Sequence, residues 1–561
     1  MKEIIIFILS FYFLLISVIS YGIIFQKICF GQINNNDFIY TGFYGLMFVT
    51  FIALLTSFFL PHNFYHNLIL HCFGFIYFIF SPIGKNKNYF KYIFYISLTL
   101  FSLLLISKTN DDFSYYHLPF TKYLTEHSVI FGIGHLNHGY NLLSSLFFLN
   151  SSFYLPFIEF YSFHFSLIFF LIFFNYFLLH EIFVKNNDIT VRYLYFFTFS
   201  YFNISFNRIA EFGTDKAGQL LIVLLVIKLF EIVSFNSKNN KLNNILFLLP
   251  LLGYCISLKT YFLPYILLSL VILFMNNQIF KNINYILFSR PFLFLFLILT
   301  LNFSHHFIST GCIISPLSKT CFVDSIFWSR NIEDIKSLSL WLEQWAKAGA
   351  GPGFRVENPF LYVQNFNWLA NWIEKYFIGK FLDQLTILFV SYIIIFLFFK
   401  NLSYEKNKTL NIKKFIYFYL ILLILFFIWF NYHPTLRYGG YAIFFLIISY
   451  PLALAFGNLN DKIFFHKKFK FFIIFVVIII NLKNFDRIKK EFDRNDIFKF
   501  TNFPFYAIKN QDYKKMKFGN NLAIYIPNGH CWATPSPCGS VQQKNLTFNK
   551  KGRYKFIQIL K

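Results

Sequence analysis

Residues 108–156 read KTNDDFSYYHLPFTKYLTEHSVIFGIGHLNHGYNLLSSLFFLNSSFYLP, with long apolar segments on both sides. The stretch opens on adjacent carboxylates, Asp111 and Asp112, in a chain with only 25 acidic residues among 561. Two acids at the mouth of a hydrophobic segment mark a polar island between membrane-crossing runs. We read the island as an active-site loop on a membrane surface; an ordinary solvated loop is the alternative.

The flanks set the class. Hydrophobic residues make up 57% of the chain and charged residues 13%, with a mean hydropathy of +0.54. Soluble domains carry about 25% charged residues, so the composition is that of an all-α polytopic integral membrane protein. With 87 Phe, a Phe stripe reads as lipid-facing or core packing before it reads as a binding platform. The formal charge of +25 would point to nucleic acid only if the basic residues clustered on a soluble face. They are spread over short loops, so no nucleic-acid partner is expected. The opening MKEIIIFILSFYFLLISVISYGIIF is too long for a secretory apolar region and has no small-residue cleavage site, which predicts a retained transmembrane helix.

Apolar runs of about 17–25 residues predict about fourteen spans. They lie near 3–25, 38–60, 66–83, 91–107, 157–184, 192–207, 217–234, 243–258, 260–276, 285–305, 382–399, 415–431, 438–456 and 470–483. This divides the chain into N-terminal helices (1–107), the island (108–156), central helices (157–305), an outer loop (306–381), C-terminal helices (382–483) and a tail (484–561). Lys and Arg concentrate in one set of alternate loops, such as Lys85, Lys87 and Lys91, or Lys406, Lys408, Lys413 and Lys414, which makes those loops cytoplasmic. The island, the 306–381 loop, the tail and both termini then share the outer face. Within the tail, NLAIYIP (521–527) and RYKFIQIL (553–560) have strand-like composition, predicting a small extracytoplasmic α+β appendage. Two close cysteine pairs, Cys312 with Cys321 and Cys531 with Cys538, fall in outer segments, where disulfides persist. The alternative for CWATPSPC, a metal or redox motif, does not fit CxxC spacing.

Candidate chemistry gathers at the outer boundary. Tyr115, Tyr116 and His117 follow the acids on an expected interfacial helix. FGIGHLNHG (131–139) is a glycine-rich turn that would let backbone approach a ligand, ahead of a second amphipathic stretch at 140–149. Asp215 and Lys216 precede the span at 217, where an acid favoured by the helix dipole is the simpler explanation. Lys259 and Arg437 are isolated cations on the sparsely charged side. A phosphate ligand would explain them, since Arg grips phosphate in a fork and Lys acts as a point charge; headgroup snorkelling is the competing account. Five of the seven Trp lie in the 306–381 loop, beside AGAGPGFR (348–355) with its Arg355. Interface anchoring accounts for most of these Trp, and stacking on a substrate is the sharper reading. Asp111, Asp112, His117, His135 and His138 could hold a divalent ion, the one cofactor the residues suggest. The spans are nearly free of charge at mid-depth, which favours an enzyme over a transporter.

An early outer loop opening Asp-Asp and continuing Tyr-His-Leu-Pro resembles the first outer loop of the GT-C superfamily of glycosyltransferases, as does the late Pro-Thr-Leu-Arg437-Tyr438 turn. The island and CWATPSPC also resemble a largely uncharacterised bacterial branch of multi-spanning membrane proteins, over much of the chain. The resemblance implies a multi-pass enzyme of the bacterial cytoplasmic (inner) membrane, serving cell-envelope polysaccharide biosynthesis. It would move a sugar from a polyprenyl-phosphate donor to a glycolipid or surface polysaccharide. An essential acid of the first loop carries over to Asp111 or Asp112, as base or ion ligand. Lys259 and Arg437 are then phosphate contacts, Asp215 orients acceptor or metal, and His117, Arg355 and Tyr438 join them in binding substrate. The chain departs from the simplest pattern in having three extra spans before the loop-bearing helix. It also lacks the Trp-Trp-Asp signature, which disfavours peptide glycosylation. A polysaccharide polymerase or ligase, a lipid-linked glycan transporter or flippase, and a non-catalytic assembly protein are the other readings.

Overall fold

The computed structural model describes residues 2–31, 38–81, 87–106, 109–183, 189–205, 213–234, 241–269, 281–323, 325–349, 356–399, 403–404, 412–457, 459–460, 462–494, 511–518, 522–539 and 546–559. Four helices, α1 (Lys2–Phe30), α2 (Phe38–Thr56), α3 (Phe64–Phe80) and α4 (Lys87–Leu100), precede the island, which forms α5 (Leu118–Glu126) and α6 (Ser145–Ser152). The central helices are α7 (Phe165–Phe183), α8 (Ile189–Ser205), α9 (Thr214–Ser234), α10 (Lys241–Leu258) and α11 (Arg290–Thr310). The outer loop carries α12 (Ile332–Lys347), and α13 (Leu382–Phe399), α14 (Ile412–Tyr432), α15 (Tyr441–Gly457) and α16 (Lys462–Arg494) complete the bundle.

These are the helices of a membrane protein. On α3, Tyr65, Ile69, Phe73, Ile76 and Phe80 are exposed while Asn67, His71 and Gly74 face inward, the reverse of a soluble amphipathic helix. The inward polar groups are used: Asn67 Nδ2 donates to the Ser151 carbonyl at 2.8 Å, and His71 Nε2 lies 3.0 Å from the Ser152 carbonyl. They thereby occupy carbonyls that the end of α6 leaves without helical partners. α7 is apolar all round and buried almost throughout, so it forms the bundle's centre.

Eight helices are long and apolar enough to cross a membrane, with three shorter apolar ones beside them. Both counts are of the described residues, against the fourteen or so spans expected from the full sequence. Two expected spans, α3 and α8, have 17 residues each, or about 26 Å, against an apolar layer of about 30 Å. The run at 260–276 begins as a tight 3₁₀ turn, Thr260–Ile266, and residues 270–276 lie outside the described part. Nor are the helices free of internal charge. Lys228 of α9 pairs with Glu181 of α7 at 2.7 Å and with Glu231 at 2.9 Å, all within the bundle. Apolar averages over α7 and α9 conceal this cluster.

The three polar segments meet at one end of the bundle. Strand β1 (Ile130–Phe131) of the island runs parallel to β5 (Tyr554–Ile559) of the tail, in register Ile130 with Lys555, and β5 pairs antiparallel with β4 (Leu546–Lys551). A separate hairpin joins β2 (Tyr513–Phe518) to β3 (Leu522–Pro527). The expected strands at 521–527 and 553–560 are therefore present, but the tail is not a free-standing appendage, since its sheet borrows a strand from the island. Both disulfides form, with S–S distances of 2.09 Å for Cys312–Cys321 and 2.04 Å for Cys531–Cys538.

This docking corrects the expected interfacial helices. Every residue from Leu118 to Thr125 of α5 is buried, as is all of α6. Tail and membrane helices cover them, so they form core and do not lie on lipid. The glycines of 131–139 serve the same packing. At Gly132 (φ +73°) a Cβ would stand 2.1 Å from the Ile557 carbonyl oxygen, and at Gly139 it would meet the Tyr116 ring. The close approach that sequence assigned to a ligand is made by the protein itself.

Candidate functional site

Arg437 sits in the turn between α14 and α15, in the sequence HPTLRYGG. Trp372 Nε1 donates to the Pro434 carbonyl at 2.7 Å, and Trp429 Nε1 to that of Thr435 at 3.0 Å. The Arg437 carbonyl accepts from Gln219 Nε2 and from the Tyr261 hydroxyl, each at 3.0 Å. With its backbone held by α9 and by the turn after α10, the guanidinium has a fixed origin. Its Nε donates to Asp215 Oδ2 at 3.0 Å and its Nη2 to Asp112 Oδ2 at 2.7 Å. On the other oxygen of Asp215, Lys259 Nζ pairs at 3.0 Å.

Four charged residues separated by up to 325 positions thus form one chain, Asp112–Arg437–Asp215–Lys259. Each is placed by a helix boundary. Asp112 precedes the π-helical turn Phe113–His117 that leads into α5, Asp215 lies in the first turn of α9, and Lys259 follows the last turn of α10. Island and α10 are tied beside Lys259, where Ser144 Oγ donates to the Leu258 carbonyl at 2.7 Å. Burial pushes the Asp112 carboxyl up, but Arg437 and His117 together outweigh it and hold the group below the ordinary carboxylate value.

Asp112, Arg437 and Lys259 of this chain line a cavity of about 880 Å³. Asp111, Asp112, Tyr115, Tyr116 and His138 of the island contribute to its lining, as do Lys259, Arg437 and Tyr438. Trp341 and Trp345 of α12 bring an aromatic wall, and the Arg437 guanidinium lies 5.5 Å from the Trp345 ring centre. Asp111 is exposed on this cavity and makes no ion pair among the described residues. Of the two adjacent acids, Asp112 is committed to Arg437 and Asp111 is available.

Several expected site residues stand elsewhere. Asp215 is 7% exposed and lies behind the two cations, which it holds in place of acceptor or metal. His117 is buried against Phe147, beneath the acids, so it does not reach the cavity wall. His135 is turned away, its Nε2 3.0 Å from the Trp328 carbonyl; burial lowers it to about 4 against the raising effect of that bond. Among the described residues no three His, Cys, Asp or Glu side chains are grouped to hold a metal ion, so Asp111, Asp112, His135 and His138 do not assemble a ligand set. Trp368 and Trp372 are buried in protein and do not anchor an interface. Arg355 lies outside the described residues.

The lining also includes residues that sequence reading missed: His306, His433 and His530. His306 is 1% exposed with neither ring nitrogen hydrogen-bonded in the protein. His433 stands two residues before the Thr435 of the Arg437 turn, and His530 is next to the disulfide cysteine Cys531. Adjacency to those two motifs was the signal for His433 and His530. The chain matches the model of a family described as Domain of unknown function (DUF8201) over residues 4–445, which takes in every charged member of the cluster and leaves His530 beyond it. No curated protein and no solved structure matches. With most of its length matched, the chain belongs to the DUF8201 family.

Proposed function

We propose that this protein is a membrane glycosyltransferase of GT-C type. It moves a sugar from a polyprenyl-phosphate donor to a glycolipid or surface-polysaccharide acceptor at the outer face of a bacterial cytoplasmic membrane. The observation that carries the reading is the meeting of Asp112, Arg437 and Lys259, tied together through Asp215 behind them, on one cavity with Trp341, Trp345 and Tyr438. Arg and Lys each have more N–H donors than this network uses, so both cations can still meet phosphate oxygens. Fixed cations at a leaving phosphate stabilise the charge that develops there. Aromatic faces beside them suit a sugar ring, and Asp111 is free to meet an acceptor hydroxyl or a cation.

Membranes bearing the wild-type chain should transfer radiolabelled sugar from a polyprenyl-phosphate donor. Arg437→Ala, Asp112→Asn and Asp111→Asn should each reduce that transfer. Normal transfer and normal surface glycan in all three variants would remove the reading. The buried Lys228 cluster favours a transporter as second reading, because intramembrane charge marks many ion pathways. Its cation is matched by two carboxylates, however, which is equally the arrangement of a structural tie.

A further inference from the structure

The hydrogen bonds around His530 have a defined polarity. Ser114 Oγ lies 3.2 Å from the Asp111 carbonyl oxygen and 2.8 Å from His530 Nδ1. A carbonyl only accepts, so both contacts are satisfied at once when the single hydroxyl hydrogen of Ser114 goes to Asp111 and His530 Nδ1–H donates to Ser114 Oγ, the tautomer we adopt. The neutral ring then carries its lone pair on Nε2, which makes no hydrogen bond to the described residues. The ring is exposed on the cavity and packs 5.4 Å, centre to centre, from Tyr115.

The loop presenting His530 is fixed. The Cys531–Cys538 disulfide closes it, Trp532 N donates to the Ser114 carbonyl at 2.9 Å, and Lys122 Nζ donates to that of Thr534 at 3.1 Å. Ser536 N donates to Glu126 Oε2 at 3.0 Å, and the Tyr140 hydroxyl to the Cys538 carbonyl at 3.1 Å. An imidazole oriented through Nδ1–H with a free Nε2 is the arrangement of a general base. Asp112 is a poor rival because Arg437 holds it. A carboxylate is intrinsically a weaker base near neutrality than imidazole.

We infer that His530 is the general base of this site, a role resting on the transferase reading above. Its Nε2 takes the proton of the acceptor hydroxyl as that oxygen bonds to the anomeric carbon. The bond from that carbon to the phosphate oxygen breaks, and its electron pair leaves on the phosphate, facing Arg437 and Lys259. The proton on Nε2 then passes to solvent, which reaches the exposed ring.

The test uses the full chain in membranes, with sugar transfer from a polyprenyl-phosphate donor followed against pH. His530→Gln should lower kcat by about 100-fold or more while leaving the donor KM nearly unchanged. The acid limb of the wild-type kcat/KM profile should disappear in that variant. Ser114→Ala, which removes the partner of Nδ1, should move the limb without abolishing transfer. Diethyl pyrocarbonate should carbethoxylate His530 in the wild-type protein, mapped by mass spectrometry. An unreactive His530 overturns the free-Nε2 geometry. Unchanged kcat and acid limb in His530→Gln overturn the base role and leave the transferase reading standing. Absence of transfer by the wild-type chain overturns both.

Discussion

Replacing Asp215, which lies behind the cavity wall, by Asn should destabilise the protein strongly. The side chain keeps its shape but loses the charge that faces Arg437 and Lys259 at 3.0 Å each. At that separation and an effective dielectric of about 20, each pair contributes roughly 5 kcal/mol before desolvation is counted. Water reaches part of Arg437, whose side chain is 30% exposed, but little of Lys259 at 13%. Removing one partner of such a buried pair typically costs about 3–5 kcal/mol, because the remaining charge is left uncompensated. Spread over the unfolding entropy of a chain this long, the melting temperature should fall by about 3–4 °C. Thermal unfolding in detergent can be followed with a thiol-reactive fluorophore, since Cys255 is free, fully buried and released only when α10 separates from α9. Removing the orphaned cation as well, in Asp215→Asn with Lys259→Met, should recover part of the loss. A melting temperature within 1 °C of wild type, or strictly additive losses in the double variant, would refute the charge-chain account (the 1 °C criterion being about 1 kcal/mol for this chain).

Other outcomes follow from neighbouring features. Arg437 lowers the pKa of Asp112, so the stability Asp112 contributes is fully present above about pH 4 and is lost as pH falls through its depressed value. Acid unfolding of Asp112→Asn should lack that component, and an unchanged acid profile would count against the pair. Gly132→Ala places a Cβ 2.1 Å from the Ile557 carbonyl oxygen at a positive φ, which should split β1 from β5. Hydrogen exchange at Ile557 and faster proteolysis of the tail would report it; native protection would not fit. Lys228→Met removes the cation that faces the fully buried Glu181 at 2.7 Å and should cost about 3–5 kcal/mol. Lys228→Met with Glu181→Gln should then fold better than the single variant, as judged by the yield of monodisperse protein.

Much of this was legible in the chain. Scarcity of charge made Asp111, Asp112, Lys259 and Arg437 conspicuous, and the structure brings Asp112, Lys259 and Arg437 into one network with Asp215 and places Asp111 on the same cavity. Cysteine spacing and compartment logic gave both disulfides. Other features required tertiary partners. The apolar periodicity of 118–125 and 140–149 suits a lipid surface as well as a protein interior, and only the docked tail decides between them. His117 and His530 look equivalent on paper. One is buried under Phe147 and the other reaches the cavity from the opposite end of the chain. The Lys228 cluster was overlooked because its two carboxylates lie on different turns or helices, whereas hydropathy averages along a single segment.

The pairing of Ile130–Phe131 with Tyr554–Ile559 also sets a timetable for biogenesis. At roughly 5–20 residues per second of synthesis, the early strand waits some 20–85 s for its neighbour to be made. Throughout that interval its edge and the apolar faces of α5 and α6 are uncovered, a period in which an assembly factor or insertase would have most to protect. His530 follows every helix of the bundle along the chain, so the cavity wall it lines cannot close until the tail has been made.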